Sequence, residues 1–186
     1  MSYSAPYSYV LQWKLRRLVR RLLPVLRKDP SCSVPGITSF NRILDNSARQ
    51  EYRDAIDQLF QLAPDIMDRK IPEANVQQAF VFDTVKKLAS RISKPRILCI
   101  GCFEDSTAES LERLGFRIDG IDPVLNYDLN GFFRKRSTVP FYYNIIFATS
   151  VIEHVQDDEV FLTQIASLLA PGGTAIITCD FNDQYH

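Results

Sequence analysis

The sequence predicts an α/β fold, a mostly parallel sheet preceded by a helical extension, and three observations carry that prediction. The first is the stretch from Arg96 to Pro123. Ile97 to Ile100 is a short, β-branched apolar run that stops at Gly101, and Ser106 with Glu109 reads as a capping box opening a helix. Gly115 closes that helix, and Phe116 to Ile121 forms a second apolar strand ending on Asp122, about 20 residues beyond the turn glycine, as in a nucleotide-binding βαβ unit. The second observation is a similar unit further on: an apolar strand from Tyr143, a helix pattern through Leu169, the turn Ala170-Pro171-Gly172-Gly173 and a strand from Thr174 to Cys179. The third is that the chain before Arg96 carries helical rather than alternating spacing.

Length and composition bound the rest. At 186 residues and 46% hydrophobic content the chain can bury one good core, so one domain with an extension is expected. No apolar h-region with a small-residue cleavage site opens it, and no window of about 18 uncharged apolar residues occurs, which argues against a signal peptide and a spanning helix. Of Cys32, Cys99, Cys102 and Cys179 only Cys99 and Cys102 stand in C-x-x-C spacing, and the histidines are His154 and His186. With no second ligand pair, no metal site is expected, and the thiols read as buried cysteines of a reducing, cytoplasmic compartment. Neutral overall charge hides an asymmetry: residues 1–36 carry seven basic residues against one acid, and the remainder carries 15 basic against 21 acidic.

In chain order, Met1 to Tyr9 is a Ser/Tyr/Pro segment expected to be loosely docked. Leu11, Leu15, Leu18, Leu22 and Leu26 then recur at helical spacing, with Lys14, Arg17, Arg21 and Lys28 on the opposite side and a kink or end at Pro24. Such a basic amphipathic helix packs on the protein's own body or on a second subunit, making a homo-oligomer, or lies on an anionic membrane surface through residues 10–28. Nucleic acid is not the expected partner, because no stacking aromatics are interleaved with the arginines. Asp29 to Thr38 reads as a linker. Ser47 and Gln50 make a further capping box, followed by Tyr52, Ala55, Ile56, Leu59, Phe60 and Ala63 on one face up to Pro64. A longer helix runs from about Glu73 to Ile92, with Val76, Phe80, Val85, Leu88 and Ile92 inward. The expected organisation is a basic segment and linker over residues 1–36, a helical cap over 37–74 and an α/β domain over 75–186. After Asp122 only Pro123 to Tyr127 precedes Asp128-Leu129, so the second crossover is almost absent, and Phe132 to Pro140 reads as a solvated loop.

The two units together resemble a class I S-adenosylmethionine-dependent methyltransferase over roughly residues 90–183. Tyr143 to Glu153, His154-Val155 and the Pro-Gly-Gly turn are similar to the family's fourth strand, its Glu-His loop and the entry to its fifth strand. The resemblance implies a Rossmann-like sheet of order 3-2-1-4-5 with strands 6 and 7 absent. It also implies S-adenosylmethionine as cofactor and a small-molecule or glycan-type acceptor, with Tyr52 and Phe60 as candidate walls of the substrate pocket. The cofactor-binding residues it implies are Gly101, Cys102, Phe103, Glu104, Asp105, Asp122, Pro123, Asp128, Ser150 and Val151, with Asp122 on the ribose, Asp128 near the adenine and Glu104 or Asp105 on the ammonium. His154 is the candidate general base. The chain departs from the family pattern at Cys99, where an acid is usual, and at Phe103 and Asp105, where glycines are usual. These departures support a second reading, a methyltransferase-like interaction module without efficient cofactor binding. A nicotinamide dehydrogenase is disfavoured because Gly101 lacks its partner glycines. Because the strand Thr174 to Cys179 lies within seven residues of the last residue, the polypeptide is expected to be part of a longer one, or its edge to be covered by the amino-terminal helices or a second subunit.

Overall fold

The computed structural model describes residues 10–12, 14–15, 42–136 and 142–180. Residues 10–12 and 14–15 are helical, and between residues 42 and 96 four helices precede the sheet: α1 (Asn46–Glu51), α2 (Arg53–Leu62), α3 (Pro64–Met67) and α4 (Pro72–Ala89). The order then runs β1 (Ile97–Ile100), α5 (Ser106–Arg113), β2 (Ile118–Ile121), α6 (Leu129–Arg136), β3 (Tyr143–Thr149), a 3-10 turn (Ile152–His154), α7 (Asp158–Leu168) and β4 (Leu169–Thr178). Pro64 and Pro72 each stand in the first turn of a helix, where the missing N–H has no intrahelical partner to lose.

All pairings in the four-stranded sheet are parallel, in the order β2-β1-β3-β4. In the numbering the resemblance implied this is 2-1-4-5. No third strand exists among the described residues, which corrects the expected order. The loop expected over Phe132 to Pro140 is also corrected as far as residue 136, because α6 buries Leu129 and Phe132 against the sheet. Residues 137–141 lie outside the described residues.

Both faces of the sheet are covered, so its strands read as continuous apolar runs rather than alternating ones. On one face Ile97, Cys99, Ile145 and Phe147 pack with Leu59 of α2, Phe82 and Val85 of α4 and Leu111 of α5. On the other, Leu98, Ile100, Ile146 and Ala148 pack with Phe132 of α6 and Phe161, Ile165 and Leu168 of α7. The α2–α4 helices therefore share one core with the sheet. Tyr143 breaks the parity of β3: a register irregularity between Tyr143 and Ile145 lets Asn144 and Ile145 both donate to Arg96 O, and Tyr143 joins Ile146's side. Asn144 accepts from Arg96 N at 2.9 Å through its side-chain oxygen and pins the start of β1. At Pro171-Gly172-Gly173, pairing passes from Leu169 opposite Tyr143 to Thr174 opposite Ile145, so Ala170 to Gly173 bulge within β4, which begins at Leu169 rather than at the expected Thr174.

Several local expectations change. Asp45, not Ser47, caps α1 by accepting from Ser47 N and Ala48 N, and Asp105, not Ser106, caps α5 by accepting from Ala108 N. In both places the carboxylate one or two residues upstream reaches the free amides first. The continuous helix expected across Tyr52 is broken there into α1 and α2. Phe60, expected to face inward, is exposed, whereas Tyr52 packs edge-on against Phe80 with ring centroids 5.7 Å apart. Neither lines the cleft described below. Cys99 and Cys102 are buried and form no disulfide, whereas Cys179, expected to be buried, is exposed. Of the amino-terminal helix, Val10 packs on the core, Leu11 and Leu15 are exposed, and Lys14, expected on a solvated face, donates to Leu125 O at 2.9 Å. Leu18, Leu22, Leu26, Pro24, the basic residues beyond Lys14 and the linker lie outside the described residues. So do Met1 to Tyr9. No helix among the described residues is long and apolar enough to cross a membrane.

Candidate functional site

In a parallel sheet the ligand crevice forms where neighbouring strands send their connections in opposite directions, which here is the boundary between β1 and β3. A cleft of about 1340 Å³ lies at the carboxyl ends of the strands, bordered by Gly101 after β1, Asp122 after β2, Ser150 after β3 and Asp180 after β4. It exceeds the roughly 300–1,000 Å³ of ordinary ligand pockets, leaving room for a nucleoside-type cofactor and a second molecule. Three residues with positive φ cluster on it, Gly101 (77°), Glu104 (55°) and Ser150 (51°). Backbone strain of this kind concentrates at functional sites.

Gly101 is required twice over. Its φ is left-handed, and a Cβ there would meet Val151 Cγ2 at 2.5 Å, so the turns after β1 and β3 approach each other only across a bare glycine. Asp122 is 8% exposed, its Oδ2 accepts from Phe103 N at 3.2 Å and its Oδ1 from Val124 N at 2.8 Å. Burial pushes its carboxyl above the ordinary aspartate value against the pull of those two amides. A carboxylate offers about four acceptor positions, so both oxygens retain capacity for a pair of ribose hydroxyls. Asn126 fixes this turn by accepting from Asp122 N and Tyr127 N and donating to Gly120 O.

Asp105 is committed elsewhere. It is buried, its Oδ1 accepts from Ala108 N at 2.6 Å and its Oδ2 from Gln78 Nε2 at 3.1 Å. Burial pushes this carboxyl up, opposed by the Ala108 amide, by Lys70 and by Gln78. Gln78 Oε1 in turn accepts from Thr107 N at 3.0 Å and Ser106 Oγ at 2.9 Å. The first amides of α5 are therefore satisfied by the protein's own side chains. A dinucleotide would place its pyrophosphate on these donors, so the geometry supports a cofactor without phosphates at this position.

The other expected site residues are distributed as follows. Phe103, Glu104, Pro123, Asp128, Ser150, Val151 and His154 all line the cleft. Cys102 does not: its side chain is in the core and its N–H donates to Ile121 O. Glu104, expected on an ammonium, pairs with Arg69 at 3.1 Å. Asp128, expected at the end of a third strand, caps α6 by accepting from Gly131 N at 2.6 Å. His154 is exposed at the end of the 3-10 turn, with no hydrogen bond to its imidazole among the described residues. Sequence reasoning missed Gln77, Gln78, Asn126 and Lys70. The signal for the first two was a polar pair inside the apolar face of α4, beside Val76, Ala79 and Phe80.

A doubly covered parallel sheet, a glycine turn after β1, a carboxylate after β2 and a cleft at the switch point define a Rossmann-like protein built for a nucleoside-containing cofactor. The family described as "Methyltransferase domain" matches residues 12–185, and the chain belongs to that family. S-adenosylmethionine is the methyl donor this membership implies, and the spare acceptor capacity of Asp122 and the phosphate-free geometry fit it. The chain is 32% identical over 111 residues, 52% of its length and 44% of the relative's, to a ubiquinone biosynthesis O-methyltransferase of Rhodopseudomonas palustris. Relatives of the same description from Nitrobacter winogradskyi and Rhizobium etli are 30% identical over 107 residues (50% of this chain, 41% of the relative) and 31% identical over 98 (44% and 40%). The matches span less than half the length of these relatives.

Proposed function

We propose that the chain transfers a methyl group from S-adenosylmethionine to a hydroxyl oxygen of a small molecule. The observation that carries this reading is the Asp122 carboxylate at the end of β2, facing the glycine turn of β1 across a cleft that also reaches Ser150 and His154. In it, Asp122 holds the ribose, Gly101, Phe103 and Val151 shape the turn beneath the cofactor, and Pro123 and Asp128 border the adenine. The bound cofactor supplies an already activated methyl group, so the protein's task is alignment and exclusion of water. His154, exposed on the rim, takes the acceptor's proton. The relatives' description as O-methyltransferases favours an oxygen acceptor, and both ring hydroxyls and the hydroxyls of a glycan have that chemistry.

A second reading has its own support. Glu104 is paired with Arg69 and Asp105 is buried under a helix cap, so neither is placed to hold an ammonium. In that reading the chain is an interaction module that binds cofactor weakly. Calorimetric titration with S-adenosylhomocysteine separates the two: the enzyme reading expects micromolar binding that Asp122→Ala weakens. No heat at millimolar ligand would overturn it in favour of the module.

A further inference from the structure

Gln77, on α4, bridges the ends of β3 and β4 at the edge of the cleft. Its Oε1 accepts from Ser150 Oγ and, at 3.4 Å, from Thr178 Oγ1. Its Nε2 donates to Asp180 Oδ1 at 2.9 Å and to Cys179 O at 3.4 Å. The Cys179 carbonyl and the Asp180 carboxylate only accept, so they fix the amide with its NH₂ group towards Asp180 and leave its oxygen to the two hydroxyls, which donate to it. Asp180 N also donates to Glu153 Oε1 at 3.3 Å, which ties the end of β4 to the 3-10 turn. Ser150 holds its left-handed backbone within this group, although it is not a glycine. The outcome is an exposed carboxylate on the cleft whose orientation is fixed from two sides.

Apart from Glu73, the other cleft carboxylates are engaged by helix amides, turn amides or an arginine. Glu104 is paired with Arg69, Asp105 and Asp128 cap helices, Asp122 accepts two amides, and Asp157 caps α7 through Val160 N. Glu73, one turn before Gln77 on α4, also borders the cleft. With the ribose assigned to Asp122 after β2, a cofactor lying along the cleft would cross the Gly101 turn towards the ends of β3 and β4, where Asp180 stands.

We propose that Asp180, oriented by Gln77, faces the positive charge at the methyl-bearing sulfur and makes the cleft select the charged cofactor over its neutral product. The inference rests on the methyltransferase reading. Before transfer the sulfur is a sulfonium. Afterwards it is an uncharged thioether, and the carboxylate no longer attracts it. Asp180 thereby favours loading of substrate cofactor and release of product, and Gln77 is a positioning residue acting through it.

The test is a pair of calorimetric titrations of the full chain at fixed ionic strength, with S-adenosylhomocysteine and with sinefungin, an analogue bearing a cationic amine in place of the methylated sulfur. The wild type is expected to prefer sinefungin roughly fivefold, the upper end for an ion pair open to water. Asp180→Asn should abolish that preference without changing the affinity for S-adenosylhomocysteine, Gln77→Leu should reduce it, and Glu73→Gln should leave it intact. A preference retained in Asp180→Asn, an equal loss for both ligands, or no preference in the wild type overturns the inference. Failure of the wild type to bind either ligand overturns the cofactor reading itself, and the two failures are thus told apart.

Discussion

Replacing Gly101 by alanine probes the closest approach in the cleft. The perturbation has two parts. At φ 77° an L-residue is disfavoured by about 1–2 kcal/mol. The added Cβ would also sit 2.5 Å from Val151 Cγ2, more than about 1 Å inside an ordinary carbon contact, and overpacking of this kind costs about 1–3 kcal/mol. Together they predict a loss of about 2–5 kcal/mol, or a fall in Tm of roughly 5–15 °C for a chain of this size. Urea and thermal unfolding followed by circular dichroism measure it. Val151→Ala removes the colliding methyl, so in the double variant the steric part should be recovered and the backbone part should persist, giving clear non-additivity. A Gly101→Ala variant within about 0.5 kcal/mol of wild type, or strict additivity in the double variant, would refute the reasoning.

Asp122→Ala should weaken S-adenosylhomocysteine binding at least tenfold while the domain stays folded, with a stability loss of about 1–3 kcal/mol from the stranded amides of Phe103 and Val124. Unchanged affinity on folded protein would remove Asp122 from the ribose. Burial raises the Asp105 and Asp122 carboxyls, so between the ordinary aspartate value and the raised one the folded state binds more protons than the unfolded chain, and this contribution to stability falls as pH rises. Asp105→Asn should therefore flatten that part of the pH profile of the urea midpoint, and an identical slope in the variant would count against it. If the exposed Leu11 and Leu15 meet lipid, the chain should co-sediment with anionic vesicles at low salt and be released as salt rises. Leu11→Asp with Leu15→Asp should abolish this, and absence of sedimentation by the wild type would leave protein packing as the explanation.

Much of the sheet was legible because its strands are short, apolar and bounded by glycine. Ile97 to Ile100, Gly101 and the carboxylate at Asp122 stand where the spacing put them, as does the turn at Gly172 and Gly173. What was not legible depended on competition between neighbouring groups. Ser106 and Glu109 satisfy a capping pattern, but Asp105 lies one residue earlier with a stronger acceptor, and the structure uses it. The third strand failed for a length reason. Asp122 to Asp128 is too short to return the chain for another parallel strand, and Leu129 and Phe132 bury themselves as a helix face instead. Gln77 and Gln78 could be seen as polar residues on an apolar helix, but their partners lie 27 to 103 residues away, a distance that local pattern cannot span.

The altered glycine loop is best understood through those two glutamines. Where a run of glycines would let the backbone wrap a ligand, this chain carries Phe103 and Asp105, and a loop with side chains needs fixing from outside. Gln78 fixes it from α4 by holding Asp105 and the first amides of α5, and Asp122 fixes it from β2 through the Phe103 amide. The loop is therefore shaped before any ligand arrives, and less ordering entropy remains to be lost on binding. The same arrangement limits the loop's freedom to adjust: with Asp105 withdrawn into the cap and Glu104 turned to Arg69, recognition of the cofactor's charged end must come from other elements. The ends of β3 and β4, joined by Gln77, present Asp180 to the cleft, the carboxylate proposed to face the methyl-bearing sulfur.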